Sequence, residues 1–447
     1  MAVVFFLGST MQPDLNKTQA KLSLLPLLSF VALFLGVGLY LQSQGVDYAF
    51  YQLPAPVAIL PAIVIAFLVN KASINQSVET FIKGAGHSNI ITMCLIYLLA
   101  GAFSAVASAT GGVDAVVNAG LSLIPPAFLL PGLFLIAAVV STAMGTSMGT
   151  IGAIGPIALA VSVKTGIDPA VMAGTIVSGA MFGDNLSIIS DTTIAATRTQ
   201  GCEMKDKFRE NLKIALPAAI LTVCLLVFLT PEPQPVETKE FDWLLVLPYA
   251  FILFLAVAGM NVFVVLFSGI LFAAAMGFTG DYEVASFAKD VYDGFSSMQE
   301  IFLLSMFIGG LSEFIRINGG LDYLAKKIQW LTSIIAKWHR KVADQLGIAA
   351  LVLTSNLCIA NNTVSIIVAG PVAKKLADDG NIPAKRSASL LDIFACVMQG
   401  SLPYGAQALL LGATFKISPW DVSTSSYYCF ILAFTAVAVI CLRRNKA

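Results

Sequence analysis

Charge is what this chain has least of. Its 447 residues hold 26 Lys and Arg against 26 Asp and Glu, so 12% are charged, about half the roughly 25% of soluble domains. So few charges cannot cover a chain of this length with a water-facing surface. Disorder is excluded by the same figures, because 57% of the residues are hydrophobic and unfolded chains need low hydrophobicity and high charge. The net charge of zero leaves no basic face for nucleic acid. Histidine is nearly missing: His87 and His339 sit in polar connections and cannot build a metal site by themselves. The seven cysteines, Cys94, Cys202, Cys224, Cys358, Cys396, Cys429 and Cys441, form no Cys-x-x-Cys pair. Most lie in apolar runs, where cysteine packs as a small hydrophobe. Nothing here calls for a cofactor. A cleavable leader is not expected, because the apolar stretch 3–7 is short and no basic residue precedes it. Met11 is read as the native start, with 1–10 an extension. What remains is an all-α polytopic membrane protein.

A helix needs about 20 apolar residues to cross the hydrocarbon. Charge-free runs occupy 22–46, 48–70, 88–113, 115–164 (ending on its first charge, Lys164), 214–231, 243–280, 345–373 and 422–442; apolar segments interrupted by acid occupy 169–197, 301–315 and 387–415. Several runs are too long for one crossing, which gives about 11 to 14 crossings or half-crossings. Lys and Arg concentrate before 22, in the connection 198–213, in the connection after Ile315, and at Arg443-Arg444-Asn445-Lys446. The positive-inside rule puts these in the cytoplasm, with both termini, in a cell (inner) membrane. The acid-bearing stretches 110–126 and 231–242 fall outside.

The sequence also repeats. Gly101-Ala102-Phe103 and Gly112-Val113-Asp114 are echoed by Gly309-Gly310-Leu311 and Gly320-Leu321-Asp322, and Gly155-Pro156-Ile157-Ala158 by Gly370-Pro371-Val372-Ala373. Loop charges give the paired segments opposite orientations. Two inverted-topology repeats follow, 22–230 and 243–442, between a tail at 1–21, a linker at 231–242 and a tail at 443–447. In secondary transporters with this architecture the site lies at mid-membrane, where the halves meet.

An Asp inside hydrocarbon costs about 2.5–3.5 kcal/mol on the insertion scale, so each deep acid calls for a function. Asp184, Asp191, Glu313 and Asp392 are such acids, and no Lys or Arg is expected deep enough to neutralise them. Protons or cations would do so instead. On a helix, Asp184, Ser187 and Asp191 would share one face, with Thr192 beside them, a set of hard oxygens suited to Na⁺ or H⁺. Asp191 could instead cap a helix before Arg198. Two stretches read as broken helices at matching places in the halves: 141–150, with Thr146 and Ser147, and 354–363, with Ser355, Asn356, Asn361, Asn362 and Thr363. Unwound backbone is tolerated in a membrane only where it is buried in protein or lines a cavity, although small residues also serve close helix packing. Glu313 is a possible coupling acid or a partner of Arg316. The kink-prone segment from Asp392 through Gln399 to Gln407 is read as the counterpart of the Asp184 cluster.

Phe182-Gly183-Asp184-Asn185-Leu186-Ser187…Ser190-Asp191-Thr192-Thr193 resembles the Phe-Gly-Asp-x-x-Ser-Pro-x-Ser-Asp-Thr-Thr signature of the NhaC-type Na⁺/H⁺ antiporter family, within the wider ion-transporter superfamily. Gly145-Thr146-Ser147-Met148-Gly149-Thr150 is similar to the Gly-Thr-Ser-x-Gly-Thr stretch that precedes it. Ser389-Leu390-Leu391-Asp392-Ile393-Phe394…Gln399-Gly400…Pro403-Tyr404-Gly405-Ala406-Gln407 resembles the family's C-terminal region. Ile188 stands where the signature has Pro, so the local bend can differ. The resemblance covers about residues 20–442 and implies an elevator-type dimer with helical hairpins and a cation site near 184–193. It also implies transport without cofactors, of Na⁺ and H⁺ or, in some members, of carboxylates and amino acids.

Na⁺/H⁺ antiport is therefore the expected function. Na⁺- or H⁺-coupled movement of a small amino acid or carboxylate is the alternative. A channel would need a repeated filter sequence, and none is present. An intramembrane aspartyl protease is remote, because its Gly-x-Gly-Asp motif is replaced by Met181-Phe182-Gly183-Asp184.

Overall fold

Backbone in hydrocarbon must bond to itself, and in a computed structural model every regular element among the described residues is a helix. The described residues are 17–46, 52–123, 125, 128–188, 190–230 and 242–442. The extension 1–10, the linker 231–242 except its last residue and the tail 443–447 lie outside them. The first half contains α1 (Lys17–Leu22), α2 (Leu25–Ser43), α3 (Ala55–Ala58), α4 (Leu60–Val69), α5 (Ile74–Ala85) and α6 (Ser88–Ala109). It continues with α7 (Gly112–Leu123), α8 (Leu129–Met144), α9 (Ser147–Thr165), α10 (Pro169–Leu186), α11 (Asp191–Gln200) and α12 (Met204–Leu229). The second half holds α13 (Leu247–Val257), α14 (Val262–Gly277), α15 (Val284–Ser297), α16 (Gln299–Ile317) and α17 (Gly320–Ile359). It ends with α18 (Asn362–Asp379), α19 (Ala384–Ser401), α20 (Ala406–Phe415), α21 (Pro419–Thr424) and α22 (Tyr427–Leu442). Five segments, 17–38, 88–109, 147–165, 204–229 and 340–359, are long and apolar enough to cross a bilayer.

The repeat becomes exact in register between α9 and α11. Helices α9, α10 and α11 begin at Ser147, Pro169 and Asp191, and their counterparts α18, α19 and α20 begin at Asn362, Ala384 and Ala406, each 215 residues on. Ser141 donates to the Ala180 carbonyl at 2.6 Å, and its counterpart Asn356 donates to the Ala395 carbonyl at 2.9 Å. Contacts across the halves are reciprocal: Thr199 lies against Gly370 as Thr414 lies against Gly155, and Gly84 against Gly309 as Gly294 against Gly101. Asn185 meets Asp392 at 3.3 Å and Met181 lies against Gly400, so the counterparts α10 and α19 run antiparallel side by side. The two-fold relating them is perpendicular to both. For helices that cross a membrane, such an axis lies in the membrane plane, which is an inverted repeat.

Two readings change. The basic connection after Ile315 is not a loop but part of α17, whose 40 residues extend ~60 Å at the 1.5 Å helical rise. In the first half the corresponding stretch, 112–144, is divided into α7 and α8, with Pro125-Pro126 in the sequence between them, and no proline interrupts α17. Helices α5 and α15, polar enough to pass for connections, instead pack on α16 and α6 through their glycines Gly84 and Gly294. The run 115–164 divides, as its length requires, among three helices, with its last break at Gly145.

Candidate functional site

Two helix breaks face each other at the centre of the fold. Gly145 takes a left-handed turn (φ 68°) that ends α8, and Thr146 caps α9 by accepting from the Gly149 amide at 3.3 Å. Its counterpart Ala360 (φ 52°) ends α17, and Asn361 caps α18 by accepting from the Val364 amide at 3.0 Å. Both caps supply the side-chain oxygen that a helix N-terminus needs. Between them lies a cavity of about 80 Å³, lined by Thr146 and Ser147 from one break and Asn361, Asn362 and Thr363 from the other. Asp184, Asp191, Thr192, Gln399 and Gln407 close it from the ends of α10, α19 and their following helices, and Asn89, Thr92 and Met93 from α6.

Asp184 is buried in this cavity, accepting from Thr192 Oγ1 at 3.3 Å and Ser147 Oγ at 3.4 Å. Gln399 is its counterpart in the repeat, and Gln407 is the counterpart of Thr192. Gln399 Nε2 donates to Gln407 Oε1 at 2.8 Å, and Gln407 Nε2 to Ser147 Oγ at 3.2 Å. The lining thus contains symmetry-related pairs, a carboxylate against an amide at Asp184 and Gln399 and a hydroxyl against an amide at Thr192 and Gln407. Inside the cavity the negative charge comes from Asp184, with Asp191 more exposed beside it.

Asp184, Ser187 and Asp191 do not share a helix face. Helix α10 ends at Leu186, Ser187 is its cap, and Ser190 opens α11 by accepting from the Thr193 amide at 3.2 Å. Asp191 is therefore the first residue of α11 rather than its cap, and the bend delivers Asp191 and Thr192 to the cavity while Ser187 stays out of its lining. Ser355 and Asn356 are also outside the lining: Asn356 ties α17 to α19 and accepts from Ser365 Oγ at 3.4 Å. Glu313 is away from the cavity, in a two-bond pair with Arg316 at 2.6 and 2.7 Å.

Asp392 is the largest correction. It is fully buried but not without a basic partner: Lys207 Nζ lies 2.8 Å from its Oδ2, also fully buried. Asn211 Nδ2 donates to the same oxygen at 2.7 Å. Its counterpart in the first half is Val177, not Asp184. Lys207 had the sign and neighbours of a cytoplasmic loop residue. The signal that could have found it is spacing, because Lys207, Glu210, Asn211 and Ile214 fall at i, i+3, i+4 and i+7, the pattern of a buried helix face, and all four are buried.

The model of the Na⁺/H⁺ antiporter family matches residues 14–230. A Na⁺/H⁺ antiporter NhaC from Alkalihalophilus pseudofirmus is 24% identical, over 76% of this chain and 80% of its own length. The chain is similar to the Na⁺/H⁺ antiporter family. The relatives differ in cargo. A malate-2H⁺/Na⁺-lactate antiporter from Bacillus subtilis is 26% identical, over 93% of this chain and 94% of its own. An arginine/ornithine antiporter from Halobacterium salinarum is 23% identical, over 94% and 90%. Among solved structures, the YdaH transporter of Alcanivorax borkumensis is similar with a TM-score of 0.43 at 14% identity, covering 94% of this chain and 98% of that one. The relatives are transporters, not enzymes, and this chain is a multi-pass secondary transporter.

Proposed function

We propose that this transporter exchanges Na⁺ for H⁺ at Asp184. The observation that carries the reading is the size and chemistry of the cavity. About 80 Å³ holds an ion with a few waters, at about 10–15 Å³ for each water, and falls well below the roughly 300–1,000 Å³ of organic-ligand sites. Its oxygens are hard donors from Thr146, Ser147, Asn361, Thr192 and Asp184, and hard cations prefer such ligands. A carboxylate that binds Na⁺ when ionised cannot hold a proton at the same time, so one site visited alternately by the two ions gives antiport. Asp191 and Asn362 would guide the ion in; Gln399 and Thr363 would complete its shell. The reading extends to the repeat limits 22–230 and 243–442, cytoplasmic termini in an inner membrane, and an elevator-type homodimer.

The amide groups Asn361, Asn362, Gln399 and Gln407 favour a second reading, coupled movement of a small carboxylate or amino acid as in two of the relatives. Proteoliposomes with imposed Na⁺ and pH gradients and a panel of such solutes separate the two. Na⁺ gradients alone should drive proton movement, and Asp184→Asn should cut it by about a hundredfold, the scale of losing one proton-transfer group. Asp184→Asn protein working at the wild-type rate, or proton movement that requires an organic solute, would remove this reading.

A further inference from the structure

We propose that Gln399 restricts the cavity to a monovalent cation, offering it one neutral oxygen at the place where the first half offers a carboxylate. The inference rests on the Na⁺/H⁺ reading above and names what sets the valence of the ion at that site.

The Gln399 amide is held in one orientation. The side chain is 1% exposed and lines the cavity. Its Nε2 donates to Gln407 Oε1 at 2.8 Å and to the Ala360 carbonyl at 3.3 Å. An amide nitrogen only donates and a carbonyl only accepts, so a flipped amide would set acceptors against each other. The Ala360 carbonyl is there to hold it because α17 ends in a left-handed turn at that residue, and the last carbonyls of a helix have no partner within the helix. What remains is Gln399 Oε1, buried and without a hydrogen-bond partner among the described residues. A buried acceptor is costly to leave unmet, and a cation in the cavity meets it.

The bonds beside it run one way. Gln407 accepts through Oε1, so its Nε2 is turned to Ser147 Oγ at 3.2 Å, and Ser147 Oγ donates to Asp184 Oδ2 at 3.4 Å. Every hydrogen in this row is given toward Asp184. One end of the row is a carboxyl oxygen and the other a bare amide oxygen, on two side chains that line the same cavity.

The repeat shows what differs between those ends. Asp184 and Thr192 correspond to Gln399 and Gln407, and each pair is joined by a hydrogen bond. The sense is reversed: Thr192 donates to Asp184, whereas Gln399 donates to Gln407. One backbone frame thus accommodates an acid or an amide, and packing alone requires neither. What the amide changes is the charge.

Charge decides which ion fits. Asp184 supplies one negative charge inside the cavity, and Asp191 is exposed, where water and salt screen it. The buried Lys207 and Asp392 nearby pair with each other at 2.8 Å and add no net charge. A monovalent cation therefore neutralises the cavity. A divalent one would leave a unit charge uncompensated in a buried space, which is unfavourable, and about 80 Å³ admits only a few waters to offset it. A second carboxylate at position 399 would lift that restriction, since hard divalent cations such as Ca²⁺ take several carboxylate and carbonyl oxygens.

The test reads the heat stability of the purified full chain in detergent while one ion at a time is added at constant ionic strength, because an ion that binds the folded state raises its melting temperature. Na⁺ should stabilise the wild type and Ca²⁺ should not. Gln399→Glu should gain stabilisation by Ca²⁺. Gln399→Met keeps the length of the side chain without its amide. It should raise the Na⁺ concentration needed for half the effect by about tenfold or more, the scale of one hydrogen-bonding group facing a charge. If methionine prevents folding, Gln399→Leu carries the same expectation. Ca²⁺ stabilising both wild type and Gln399→Glu, or neither, overturns the inference alone when Na⁺ gradients still move protons in wild-type proteoliposomes. An unchanged Na⁺ requirement in Gln399→Met does the same. A wild type that Na⁺ neither stabilises nor drives to move protons overturns the inference and the antiport reading together.

Discussion

Asp392 is fully buried with Lys207 as its ionic partner, and the cost of separating them sets an expectation at the scale of single residues. Truncating one member of a buried pair leaves the other charge stranded, at about 3–5 kcal/mol, while replacing both with apolar groups is often near neutral. Lys207→Met should therefore sharply lower the melting temperature of the purified protein, and Lys207→Met with Asp392→Val should recover most of the loss. Equal melting temperatures for wild type and Lys207→Met would show that the pair does not hold α12 to α19. The two acids Asp184 and Asp392 look alike in sequence, each in an apolar run, and one-dimensional reading treated them as a symmetric pair. What separates them is three-dimensional: Asp392 meets a lysine 185 residues earlier in the chain, whereas Asp184 opens into a cavity. Asp184, Thr192, Thr146 and the Asn361–Thr363 group were legible because polar atoms inside apolar runs are costly enough to mark a site. Gln407 was marked only as part of a polar segment, and the fold alone shows its hydrogen bonds with Gln399 and Ser147.

At the scale of elements, the left-handed turns that end the repeat helices are kept while their residues are not. Gly145, Gly166 and Gly201 in the first half correspond to Ala360, Asn381 and Lys416, all at positive φ. The geometry of each helix end is thus retained even where the side chain resists it. Lys416, exposed at φ 56°, offers the cleanest test. Lys416→Gly relieves about 1–2 kcal/mol of left-handed strain against about 0.5–1 kcal/mol of extra chain entropy. The variant should melt slightly higher than wild type in a detergent thermal scan, and a lower melting temperature would mean that the turn is not strained. The broken helices at Gly145 and around Asn361 could be read from clustered Gly, Ser, Thr and Asn in apolar runs. The 40-residue α17 could not, because its basic middle carries the charge pattern of a cytoplasmic loop and charge does not report helicity. Helices α5 and α15 escaped for a related reason: their polar and charged residues have the pattern of connections, although Phe81 of α5 packs on Gly310 and Gly294 of α15 on Gly101.

For the whole molecule, the two halves meet across antiparallel α10 and α19 and build a cavity whose lining is symmetric in position but not in charge. Asp184 faces its counterpart Gln399, Thr192 faces Gln407, and Thr146 faces Asn361. A neutral, fully symmetric lining would bind an ion without coupling it to protons. In the proposed exchange, a buried carboxyl placed among neutral oxygens would make each Na⁺ bound displace a proton, and the alternation would follow from that competition. Proton release on Na⁺ binding, recorded by titrating the weakly buffered, purified protein in detergent, is the most direct measurement of this claim. About one proton should leave for each Na⁺ bound, with apparent Na⁺ affinity weakening as the pH falls and the carboxyl takes up its proton, and Asp184→Asn should release none. Na⁺ binding without proton release, or equal release from Asp184→Asn, would contradict it.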